Sequence, residues 1–246
     1  MKPGELWEIR LMAMVDIESI GSANLRGYLA RPPGAGPWPG VVAIHEVFGL
    51  DDVLRRQADR LAAAGYLTLG PDLFSDGGAA RCVVRTLRAL SRGEGRPLDD
   101  IEASLAYVRE HADCTGKVGI IGFCLGGGFA LLGATRGFDV AADNYGVVPK
   151  HPEAALAGAC PIVASYGSKD HMGRAAATLE RTLTQVAVEH DVKEYPGVGH
   201  SFLNDQPNGP RVLRPLMRVA HVGPNPEAAA DAWARIEAFF AKHLAA

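Results

Sequence analysis

Long hydrophobic runs are missing from this sequence. No apolar stretch approaches the roughly 20 residues of a membrane-spanning helix. Glu5, Glu8, Arg10 and Asp16 interrupt the N-terminal segment where a secretory signal would carry its apolar region. Cysteine is scarce as well. Cys82, Cys114, Cys124 and Cys160 are widely spaced and form no C-x-x-C pair, which speaks against a zinc site and a disulfide framework. A reduced, cytoplasmic protein is expected. A large excess of one charge is also lacking. The net charge of −3 leaves no global basic footprint for nucleic acid, so neither nucleic acid nor membrane is expected as a partner. Repeats, low-complexity tracts and linker-like segments are absent too, and residues 1–246 read as one domain.

What is present suits a folded core: 48% of residues are hydrophobic and 22% are charged. Leu6 to Ile17 and Leu25 to Ala30 read as two antiparallel strands around a polar turn. Pro32 to Pro39 reads as a loop, and Val41 to Ile44 is a continuous apolar run, as in a strand buried on both faces. Asp51 or Asp52 is placed to cap a helix bearing Leu54, Ala58 and Leu61, with Gly65 as its stop. Tyr66 to Leu69 is another strand. Ser75 to Arg96 shows no clear period, and Asp99 or Asp100 is placed to cap a helix carrying Ile101, Leu105, Val108 and Ala112. Val140 to Tyr145, Pro161 to Tyr166 and Val192 to Tyr195 are strand candidates. Helices are expected around Leu179 and, at the C-terminus, over Trp233, Ile236, Phe240 and Leu244. Alternation of strand and helix from residue 41 onward predicts an α/β fold: a mostly parallel sheet with helices on both faces.

The pattern that organises the chain is Gly122-Phe123-Cys124-Leu125-Gly126, between the apolar run Val118 to Ile121 and the apolar stretch Phe129 to Ala134. This is the spacing of a nucleophile elbow, with cysteine where serine is more usual. A sharp strand-to-helix turn exposes the central side chain and requires neighbours without Cβ. A cysteine there sits at a helix N-terminus, whose dipole favours a thiolate, and nearby amides can bind an oxyanion.

In a parallel sheet functional groups gather beyond the carboxyl ends of strands. Asp170 comes after the Pro161-to-Tyr166 strand and His200 after the Val192-to-Tyr195 strand. Nucleophile, acid, histidine is the chain order of the α/β-hydrolase triad. In that arrangement Cys124 attacks a carbonyl carbon, His200 moves the proton, and Asp170 holds the imidazole tautomer. The Leu125 and Val47 amides are the candidate oxyanion donors. Glu46, after the Val41-to-Ile44 strand, could accept the thiol proton or could be an acid that suits a helix N-terminus; its residue type alone does not decide. His45-Glu46 is no zincin motif, because Gly49 stands where the second histidine would be.

His45-Glu46-Val47-Phe48-Gly49, Pro71-Asp72-Leu73-Phe74, Gly122-Phe123-Cys124-Leu125-Gly126-Gly127, Asp170 and Gly199-His200-Ser201-Phe202 together resemble the dienelactone hydrolase family, from about residue 25 to the final helix. The resemblance implies an α/β-hydrolase fold, a Cys124-His200-Asp170 triad without a cofactor, and participation of Glu46 in activating Cys124. It implies a small ester or lactone substrate, with Phe48, Phe123 and Asn204 as candidate contacts. Two arginines that hold the substrate carboxylate in this family are out of register: Ser75-Asp76 and Asn204 occupy those places. Arg81, Arg85, Arg211 and Arg214 are nearby candidates to replace them. Asn204 to Pro226 is a long, proline-rich connection, which reads either as a lid carrying Leu213, Leu216, Met217 and Val219 over a pocket or as a helix packed on the surface.

Two other functions compete with a hydrolase: thiol redox chemistry and binding on an inactive scaffold. Lack of an evident resolving cysteine weighs against the first, and the intact Asp170 and His200 weigh against the second. A thioesterase or carboxylesterase on the same scaffold is the nearest alternative. The oligomeric state is not set by the sequence, and a monomer is compatible with it.

Overall fold

The computed structural model describes residues 12–170, 175–209, 212 and 214–245. Eight strands form one sheet: β1 (Met12–Asp16), β2 (Arg26–Ala30), β3 (Trp38–Ile44), β4 (Leu67–Pro71), β5 (Cys114–Phe123), β6 (Val140–Asn144), β7 (Ile162–Gly167) and β8 (His190–Tyr195). Their order is β1-β2-β4-β3-β5-β6-β7-β8. β1 and β2 run antiparallel, as does the β2–β4 pair, and every pair from β4 to β8 is parallel. This is the α/β-hydrolase architecture expected from the alternation of elements. The part of the expected first strand that precedes Met12 lies outside the described residues.

The central strands are apolar because both their faces are covered. Val41 to Ile44, Val118, Ile120 and Ile121 are fully buried. One partner on the cover is α1 (Asp52–Ala63), which Asp51 caps by accepting from the Val53 and Leu54 amides, each at 3.0 Å. At the C-terminus, α8 (Pro226–Leu244) presents Trp233, Ile236, Phe240 and Leu244 to the core, as their spacing predicts.

Two local expectations are corrected. Ser75 to Arg96 is not irregular: α2 spans Gly78–Arg92, burying Cys82, Thr86 and Ala89 on one face. Its arginines and flanking glycines mask that period in the sequence. Neither Asp99 nor Asp100 caps the next helix. α3 (Arg96–Arg109) begins earlier, with Pro97 in its first turn, and Asp100 lies inside it. The buried Asp100 carboxylate instead accepts from the Ser19 hydroxyl at 2.7 Å and the Ser22 hydroxyl at 2.6 Å, fastening the β1–β2 turn.

The remaining helices are α4 (Leu125–Gly133), α5 (Pro152–Leu156), α6 (Ala175–Gln185) and the short α7 (Arg214–Val219). Among the described residues no helix is long and apolar enough to cross a membrane.

Candidate active site

β5 ends at Phe123 and α4 begins at Leu125, so a single residue, Cys124, makes the turn. It adopts φ 55° and ψ −113°, a conformation costly for a side chain with a Cβ. The flanking glycines explain how the turn is held. A Cβ on Gly122 would fall less than 3.0 Å from the Gly126 carbonyl oxygen, and one on Gly126 would strike the Ile44 carbonyl of neighbouring β3. The Cys124 amide donates to the Asn144 carbonyl at 3.0 Å, tying the elbow to β6. The cysteine is half-buried, and its sulfur stands at the head of α4.

Sheet register brings the other groups to the same edge. Ile44 lies opposite Gly122, which places the β3–α1 loop with Glu46 beside the elbow. Gly167 lies opposite Tyr195, so the loops after β7 and β8 are neighbours. His200 Nδ1 and Asp170 Oδ2 are 2.6 Å apart, with the carboxylate side chain 4% exposed. The same imidazole feels the nearby Cys124 side chain, which favours its protonated form. Burial disfavours the imidazolium, but Asp170 and Cys124 together outweigh it and raise the His200 pKa to about 10. The backbone of His200 is itself clamped. Its amide donates to the His221 carbonyl at 2.9 Å, and its carbonyl accepts from the Gly223 amide at 2.9 Å.

Glu46 is buried and saturated with neutral donors. Oε1 accepts from the Ser201 hydroxyl at 2.9 Å and Asn204 Nδ2 at 3.2 Å, and Oε2 accepts from Asn208 Nδ2 at 2.9 Å. Asn204 is therefore a donor to Glu46, and its own Oδ1 accepts from Gln57 Nε2 at 3.0 Å. Beside it, His45 is fully buried and serves the backbone. Its Nδ1 lies 2.6 Å from the Glu46 carbonyl, which can only accept, and its Nε2 takes the Leu73 amide at 3.2 Å. Burial holds this imidazole below its ordinary pKa, which suits the neutral tautomer those partners require.

Other expected residues are placed less centrally. Phe48 is half-buried on the β3–α1 loop. Phe123 is fully buried and packs on Trp233, ring centroids 6.0 Å apart, so it belongs to the core and is corrected as a candidate substrate contact. The reason is the pleat: neighbours on the strand face opposite sides of the sheet. Arg85 donates to the buried Cys82 sulfur at 3.3 Å. Arg211 and Leu213 lie outside the described residues. In the long connection, Leu216 and Val219 of α7 are 67% and 78% exposed, so these apolar groups do not roof a pocket. The stretch before it is what closes on the site, through Asn208.

Tyr145 reads in the sequence only as the end of a strand, yet the fold brings it to the site. It sits just beyond β6 at φ 47° and is fully buried. Its ring meets His200 edge-on, centroids 4.9 Å apart, and Phe202 at 5.5 Å. Its buried hydroxyl makes no hydrogen bond among the described residues but feels the charge of the Glu46 carboxylate. Burial, then the charges of Glu46 and Cys124, holds the phenol well above the usual tyrosine pKa. Position alone signals it: the residue comes directly after a buried strand, at the sheet edge that carries the other groups.

The family model of the dienelactone hydrolase family matches residues 25–244. The chain belongs to the dienelactone hydrolase family. A Synechocystis protein provisionally named a carboxymethylenebutenolidase is 30% identical over 94% of this chain and 99% of its own. Carboxymethylenebutenolidase of Pseudomonas putida is 28% identical, over 74% of this chain and 83% of its own. Among solved structures, a dienelactone hydrolase-like promiscuous phosphotriesterase from metagenomic libraries superposes with a TM-score of 0.76 at 22% identity, covering 95% of this chain and 99% of that one, which shows the shared fold. The protein is a hydrolase acting on ester bonds, those of lactones included.

Proposed function

We propose that this family member hydrolyses a small ester or lactone through Cys124, His200 and Asp170, by way of a covalent acyl-enzyme. The observation that carries the reading is the strained elbow cysteine at the sheet edge where an imidazole meets a buried carboxylate. Asp170 occupies Nδ1, which leaves Nε2 for the sulfur. The Cys124 thiolate attacks the carbonyl carbon, forming the C–S bond while the carbonyl π pair moves to oxygen. The Leu125 amide, which has no helical acceptor at the start of α4, and the Val47 amide receive that oxyanion. Collapse breaks the bond to the leaving oxygen, which takes the proton from His200 Nε2. Water then attacks the thioester, His200 accepts its proton, and the C–S bond breaks to return the thiolate.

The raised pKa of His200 supports this division of labour. The negative sulfur is part of what holds the proton on the ring. Acylation removes that charge, so the proton becomes easier to release when the leaving group needs it. In the same proposal Glu46 helps to activate Cys124 as a carboxylate that accepts the thiol proton. Ser201, Asn204 and Asn208 hold it with neutral donors. Tyr145 positions His200 through its ring. Asn204, where the family places a substrate-carboxylate arginine, is engaged with Glu46 and Gln57. An uncharged ester or lactone is the better match to such a site.

Intact-protein mass spectrometry after brief mixing with activated esters and lactones, cis-dienelactone included, tests the proposal. An acyl adduct on Cys124 that forms and decays at the rate of turnover is expected. Turnover by Cys124→Ala at the wild-type rate would overturn the assignment. For Glu46, the Glu46→Gln variant should alkylate more slowly with iodoacetamide near neutral pH, and an unchanged rate across pH would remove Glu46 from the activating machinery.

A further inference from the structure

A groove of about 620 Å³ runs along α4 on the side away from the Glu46 cage. α2 and the connection after β6 form its walls. Its apolar lining includes Leu87 and Leu90 from α2, Leu132 from α4 and Val147 from the β6–α5 connection. Leu87 is 48% exposed and Val147 is 42% exposed. The lining also carries the cations Arg92, Arg136 and Lys150. No carboxylate lines it among the described residues. Of the three cations, Arg136 is matched by Glu102 from α3, and it also donates to the Gly93 carbonyl at 3.1 Å.

This groove is separate from the catalytic residues but close to them. Gly128, one helical turn beyond Cys124, is covered from both walls: a Cβ there would meet Leu90 Cδ1 at 2.9 Å and the Val147 carbonyl at 3.1 Å. Val147 stands two residues beyond Tyr145, whose ring meets His200. A lining that combines apolar side chains with cations and no carboxylate excludes two ligand classes. A cation would be repelled by the lining arginines and lysine, and a fully polar anion would leave the apolar walls wet. The volume falls within the range of small-molecule sites.

We propose that the groove is a second binding site, for an amphipathic organic anion: an apolar body against Leu87, Leu90 and Val147, and a carboxylate or like group toward Arg92 and Lys150. Binding there does not require the hydrolytic mechanism. The test uses the full chain with Cys124 carbamidomethylated, so that the catalytic centre is blocked. Sodium octanoate and 1-octanol are the probes, monitored by isothermal titration calorimetry. Octanoate should bind saturably and at least tenfold more tightly than octanol. The double variant Arg92→Ala/Lys150→Ala should weaken octanoate at least tenfold and leave octanol unchanged. Leu87→Asp, at an exposed position that the fold does not need, should weaken both. Equal affinity for the two probes, or binding that alkylation of Cys124 abolishes, would overturn the proposal. So would a dimer, seen by sedimentation, that Leu87→Asp dissociates while octanoate fails to bind, because the groove would then be covered by a second copy.

Discussion

Tyr145 and His200 are each held in place by more than one neighbour, and each gives a measurable consequence. The Cys124 sulfur helps to keep the His200 ring protonated to about pH 10. Cys124→Ser replaces it with a hydroxyl that does not ionise in that range, so the His200 midpoint in an NMR titration should fall. An unmoved midpoint would remove the sulfur from that balance. Tyr145→Phe keeps the ring against His200 and deletes the hydroxyl facing Glu46. Turnover should drop by about tenfold as the buried hydroxyl dipole beside the Glu46 charge is lost, with the melting temperature little changed. If stability falls and turnover per folded molecule holds, Tyr145 is a packing residue only.

At the scale of elements, the β5–α4 turn and the loop over Glu46 depend on close contact of different kinds. The turn depends on absent side chains. Gly122→Ala should destabilise the protein by about 3 kcal/mol or more in urea unfolding, because its Cβ meets backbone atoms that cannot rotate away. The loop depends on a buried acceptor. Asn208 binds Glu46 from the long connection, and the exposed Arg56–Asp205 pair lies beside it. Asn208→Ala should cost about 1–3 kcal/mol by leaving a carboxylate oxygen short of a donor. Hydrogen exchange should speed up over residues 203–209 and stay unchanged in β5. Uniform exchange would mean that this bond does not fasten the loop.

For the whole molecule, the assembled site links folding to pH. The folded-state pKa of His200 lies above its unfolded value of 6.5, so its stabilising contribution is complete below that value. The contribution is lost as pH rises through about 10. Urea unfolding of the wild type should therefore show stability falling over this window more steeply than in His200→Ala. Parallel slopes would mean that His200 is not held protonated by the fold. The coupling exists because three loops from distant parts of the chain meet at one sheet edge, as the neighbouring registers of β3 with β5 and β7 with β8 require.

Short-range patterns were enough for much of this protein. Gly122-x-Cys124-x-Gly126 signals the turn because backbone crowding permits no other residues at its ends, and continuous apolar runs mark strands covered on both faces. The order of Cys124, Asp170 and His200 was legible for the same reason, since a parallel sheet directs the loops after its strands to one edge. Other features depend on partners far away in the chain. Asp100 reads as a helix cap until Ser19 and Ser22 approach it. Phe123 reads as a flank of the nucleophile until the pleat turns it into the core against Trp233. The donors that hold Glu46, the place of Tyr145 and the basic groove beside α4 were decided by tertiary packing. Each joins residues from separate elements, and a carboxylate or phenol takes its chemistry from the charges and burial around it rather than from its neighbours in sequence.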